Sequence, residues 1–112
     1  MSVEQENIID IVSLDKKTGD IILTISDHLD WSDSTKHQSF LQAKLNKYLA
    51  FVESGEILEH YPDAKGRRAV FNVVFKFKPD LEGRKFLSRA RKIIETAGFG
   101  LREQLFAESY DN

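Results

Sequence analysis

The chain reads as an α+β protein: a two-layer sandwich in the order β-β-α-β-β-α-β, with a mostly antiparallel sheet and two helices packed on one of its faces. Three observations predict this. Short β-branched runs alternate in polarity at period two, longer segments space their apolar residues at three and four, and turns bearing glycine or proline separate the two kinds. The 112 residues suit one domain over 1–112, long enough to bury roughly two-thirds of the surface its unfolded chain exposes. Residues 1–7 and 107–112 read as frayed ends.

Residues 8–14 and 21–26 are rich in isoleucine and flank the polar turn 15–20, which predicts a hairpin with Gly19 supplying a positive φ. In the second of these strands Ile21, Leu23 and Ile25 share the core face. From residue 34 to 52 the period changes. Leu41, Leu45, Tyr48, Leu49 and Val52 fall on one side of a helix, begun by a cap from Ser32, Asp33 or Ser34 and ended by Gly55. Residues 56–61 read as a short strand before the turn 62–66. The strand over 69–77 follows, with Phe71, Val73, Phe75 and Phe77 facing the core. Asp80 caps a second helix whose stripe is Phe86, Ala90, Ile93, Ile94 and Ala97, ended by Gly98. Residues 99–106 form a weaker alternating segment, an edge strand.

Charge is distributed unevenly. The net charge of −2 combines −7 over residues 1–64 with +8 over residues 65–102, followed by three acids. A basic block suggests contact with a polyanion such as nucleic acid. The phenylalanines, however, occupy alternating core positions rather than an exposed stacking platform, so the basic second helix reads as a solvated face partly paired with the acidic half. There is no cysteine, hence no disulfide, thiolate metal site or cysteine nucleophile. No apolar run reaches bilayer length and the first residues lack a secretory pattern, so the expectation is a cytoplasmic protein without membrane contact.

Two clusters gather the chemistry. Residues 26–33 hold Asp27, His28, Asp30, Asp33 and the only tryptophan, Trp31, between a strand and a helix. Carboxylate and imidazole ligate borderline cations and move protons near neutral pH. With Asp33 and His37 one helical turn apart, a metal set of Asp27, His28, Asp30 and His37 is one reading, and an acid/base pair of neighbouring aspartates is another. The alternative is structural: Ser32 and Asp33 as caps, and Trp31 as a lid over the core end with its indole N–H satisfied at the rim. The second cluster is Tyr61, Asp63 and Arg67 with Gly66 and Arg68, where a glycine turn and arginine forks suit a phosphate or carboxylate, or else form a solvated hairpin. No Gly-x-Ser-x-Gly elbow, phosphate loop or triad context is present, so no catalytic residue and no cofactor is assigned.

Residues 24–33 (TISDHLDWSD) and 61–67 (YPDAKGR) carry a resemblance to a family of small bacterial proteins classed as a domain of unknown function, running from about Ile8 to Leu101. The resemblance implies a bacterial, stand-alone domain and transfers no activity. The function expected is a binding or interaction module, its partner a protein or a second copy, using Asp27, His28, Asp30 and Trp31, with Tyr61, Asp63 and Arg67 as a further part of the surface.

Overall fold

A computed structural model describes residues 11–106. The elements are β1 (Ile11–Leu14), β2 (Ile21–Asp27), α1 (Ser34–Glu53), α2 (Glu56–His60), a 3-10 turn (Pro62–Ala64), β3 (Ala69–Phe75), α3 (Leu81–Thr96) and β4 (Gly100–Leu105). Expectations for residues 1–10 and 107–112 lie outside the described residues.

The four strands form one sheet in sequence order, β1-β2-β3-β4. The β1–β2 hairpin is antiparallel, as expected, and Gly19 turns it with φ of 82°. The pairs β2–β3 and β3–β4 are parallel. The sheet is therefore mixed, not mostly antiparallel, and the reason is local. Residues 56–61 are not a strand. Gly55, at φ 83°, reverses the chain after α1, and the next five residues wind into α2, with only Ile57 buried. A short apolar pair cannot distinguish strand from helix by period alone. With no strand there to pair with, β2 reaches β3 through a helical crossover, which delivers the next strand parallel.

One face of the sheet holds Ile21, Leu23 and Ile25 of β2, Phe71, Val73 and Phe75 of β3 and Leu101 of β4. Against it pack Leu41, Leu45, Tyr48 and Phe51 of α1, and Leu87 and Ile94 of α3, in a single cluster. Fully burying each of these large side chains contributes about 1.5–3 kcal/mol. The α1 stripe runs as its spacing predicts, extended by His37 and Phe51, and Asp33 caps it by accepting from the Lys36 amide at 3.2 Å. Lys44 also lies on the buried side, its Nζ 5.5 Å from the centre of the Tyr48 ring.

Three expected core positions are displaced. Phe77 falls beyond the end of β3 and is 43 % exposed. On α3 the buried line is Gly83, Leu87 and Ile94, with Phe86 and Ala90 half-buried, whereas Ile93 is 66 % exposed and Ala97 lies past the last turn. Leu87, absent from the expected stripe, points at the sheet, which turns Ile93 toward the space between α1 and α3. Asp80 caps α3 as predicted, accepting from the Gly83 amide at 2.7 Å. Among the described residues no helix is long and apolar enough to cross a membrane.

Candidate functional site

The carboxyl-terminal edge of β2 is where the first sequence cluster assembles. Alternation along β2 that buries Ile21, Leu23 and Ile25 also turns Asp27 toward the helices, where it is 2 % exposed. One Asp27 oxygen accepts from the Leu29 amide at 3.1 Å, turning the chain away from the sheet. The other meets His37 Nε2 at 2.5 Å, and His37, on the first turn of α1, is equally buried. His37 Nδ1 donates to the carbonyl oxygen of Asp30 at 2.9 Å. A carbonyl only accepts, so Nδ1 carries a proton, and a second proton lies in the short contact between Nε2 and the carboxylate. Both ring nitrogens are thereby occupied.

Trp31 closes this pair from outside. Its ring stacks on His37 with centroids 3.7 Å apart and planes inclined by 20°, and its Nε1–H donates to the Phe77 carbonyl at 3.2 Å. The neighbouring helix makes room for it: a Cβ on Gly83 would stand 2.7 Å from the Trp31 ring. Asp30 points the other way, its exposed carboxylate accepting from the Ser32 hydroxyl at 2.6 Å and the Ser32 amide at 3.1 Å. Those two bonds, the hydroxyl first, hold its carboxyl below the ordinary value of 3.8.

Outside the lock lies a concavity of about 370 Å³, with His37 in its wall and His28, Asp30, Lys36, Phe40 and Phe77 around it. The Lys36 ammonium sits 5.8 Å from the Phe40 ring centre, on the same side of α1. Lys36, Phe40 and Phe77 are site residues that the sequence reading did not single out. The first two carry a readable signal, an i, i+4 pair beside His37, whereas Phe77 was hidden by being counted on the core face of β3.

The four metal candidates do not come together as a ligand set. His37 takes the carboxylate of Asp27 but only the backbone of Asp30, and His28 is exposed on the rim. Among the described residues no group of three or more histidine, cysteine, aspartate or glutamate side chains could hold a metal ion. Nor does the second cluster join the first. Ile21 pairs with Ala69, and the Ile21 amide donates to the Arg68 carbonyl, which places Tyr61, Asp63 and Arg67 at the opposite end of β2. Six strand steps, about 20 Å, separate them. There Arg67 serves as a tie, donating from Nε to the Asp63 carbonyl at 2.8 Å and from Nη1 to the Gly19 carbonyl at 2.9 Å. Tyr61 and Asp63 are exposed beside it.

The chain belongs to a family of unknown function (DUF6572), which it matches over residues 1–107. No curated protein and no solved structure matches it.

Proposed function

We propose that this protein is a small non-catalytic binding module of the bacterial cytoplasm that takes a segment of a partner protein into the concavity at the carboxyl-terminal edge of β2. The observation that carries this reading is the state of His37. Both of its nitrogens are engaged by oxygen acceptors inside the fold, so this imidazole has no position from which to take a substrate proton, and the other histidine at the concavity, His28, stands exposed on its rim. What the concavity does offer is recognition chemistry: the Lys36 ammonium, the exposed Asp30 carboxylate and two phenylalanine faces. A mixed apolar and charged lining of this kind suits a short peptide bearing both an apolar and an ionic side chain. A cysteine-free composition agrees with a reducing compartment.

The test is selection of peptides from a random displayed library on the immobilised protein. Enriched peptides should alter the emission of Trp31, which stacks on the wall of the site. Lys36→Glu together with Phe40→Ala should weaken their binding about tenfold or more, a loss of roughly 1.4 kcal/mol, without lowering the α-helical signal. A library that yields no consensus, or peptides indifferent to these substitutions, would overturn the reading.

A further inference from the structure

We infer that the partner segment taken up at the carboxyl-terminal edge of β2 is acidic: an apolar side chain set against the Phe40 and Phe77 rings, with a carboxylate on either side of it for Lys36 and Lys76. This rests on the binding role proposed above and fixes the chemistry of the occupant. Two lysine–phenylalanine pairs flank the concavity. Lys36 Nζ stands 5.8 Å from the centre of the Phe40 ring and Lys76 Nζ 5.6 Å from that of Phe77, and both rings line the space. Each pair sits on backbone that the fold already holds. The first lies on the opening turns of α1. The second lies just past β3, where the Lys76 amide donates to the Asp27 carbonyl at 2.8 Å and the Phe77 carbonyl accepts from Trp31 Nε1–H at 3.2 Å. A guest therefore meets four side chains whose main chain needs no further ordering.

The sign of the guest follows from which charges are already engaged. Asp27 accepts from the Leu29 amide and meets His37, Asp30 accepts from the hydroxyl and amide of Ser32, and Asp33 accepts from the Lys36 amide. A guest cation would have to compete with those donors. The bases are not so engaged. Among the described residues no carboxylate pairs with Lys36 or Lys76, nor with Lys78 and Arg84, which stand beyond Phe77 toward α3. An ammonium carries three donors, and a phenyl face takes up only one side of it, so guest carboxylates supply the acceptors that are missing. In an extended segment successive side chains point to opposite sides. An apolar residue directed inward against the rings then leaves the residues before and after it at the rim, where the two ammonium groups stand. Acid, apolar, acid is the order that satisfies both pairs together.

Fluorescence anisotropy of the whole protein with three labelled peptides reads the sign directly: Gly-Glu-Phe-Glu-Gly, and its counterparts with both glutamates replaced by glutamine or by lysine. The glutamate peptide should bind about tenfold more tightly than the glutamine one and weaken as salt is raised, and the lysine peptide should bind least. Lys76→Glu should lower affinity for the glutamate peptide about fivefold while the melting temperature holds. The double variant Lys36→Glu, Lys76→Glu should reverse the order of the three peptides, whereas Lys92→Glu, exposed further along α3, should change nothing. Binding of none of the three, a wild-type preference for the glutamine or lysine peptide, or an order that the double variant leaves unchanged overturns the inference. A library consensus that depends on Lys36 and Phe40 but lacks acids also overturns it while leaving the binding role in place; the absence of any consensus removes the role itself.

Discussion

The two ends of β2 use similar polar residues for opposite purposes. At the carboxyl-terminal end Asp27 and His37 are both buried and joined directly, under the ring of Trp31. At the amino-terminal end Arg67 stays exposed and binds only backbone carbonyls, while Asp15 accepts from the amides of Lys17 and Thr18 in the hairpin turn. Water can replace every bond at the second end. It cannot do so at the first, where loss of either partner leaves a polar group buried without a hydrogen bond. The difference teaches that a cluster of acids and histidine at a strand end can be a fastening of the fold.

Substitution tests this contrast most severely at the buried pair. Asp27→Ala or His37→Ala should lower unfolding stability by about 3–5 kcal/mol, as does removal of one member of a buried pair. Arg67→Ala at the other end should cost about 1 kcal/mol. Urea denaturation of the three variants measures both, and equal losses would erase the distinction. Between these extremes stands Gly83→Ala. Its new methyl group collides with Trp31, so a destabilisation of about 1–3 kcal/mol is expected, accompanied by a shift in tryptophan emission as the indole is displaced. An unchanged spectrum would mean that the lid adapts.

The smallest expected effect is one on which the two ends agree. Asp15 and Asp30 are both held below 3.8 by local hydrogen bonds, from the Lys17 amide first at Asp15 and from the Ser32 hydroxyl first at Asp30. A depressed carboxyl stabilises the fold above its unfolded pKa and loses that contribution as pH falls through the folded value. Asp15→Asn and Asp30→Asn should each flatten slightly the fall in melting temperature below pH 3.8, and by similar amounts. A markedly larger response from Asp30 would show that the exposed rim is coupled to the buried pair.

Much of this architecture was legible in the residues. The hairpin with Gly19, the α1 stripe through Leu41, Leu45 and Tyr48, a cap for α1 among Ser32, Asp33 and Ser34, the Asp80 cap and the β4 edge strand follow from local chemistry; the structure picks Asp33 of the three and leaves Leu49 and Val52 of the stripe half-buried. What was not legible depends on partners distant in sequence. Glu56-Ile57-Leu58 is too short for its period to choose between strand and helix, and that one choice set the direction of β3. The face of α3 is fixed by where the sheet lies, which a helical stripe read alone places only approximately. At the site, Asp27 and His37 were both named as candidates, yet their pairing with each other rather than with a ligand needs the corner between β2 and α1. The separation of Tyr61, Asp63 and Arg67 from that corner likewise follows from parallel pairing.

The spacing of these contacts along the chain also bears on how the protein folds. Asp27 and His37 are ten residues apart, whereas Trp31 reaches Phe77 across 46. Closing the longer loop costs roughly 1.4 kcal/mol more in chain entropy, so the corner between β2 and α1 can form while β3 is still undocked. The indole can stack on His37 with that corner, but its N–H finds the Phe77 carbonyl only once the crossover has brought the end of β3 alongside. Burial of the single tryptophan would follow a refolding time course different from that of helix formation, with the slower phase reporting completion of the parallel sheet.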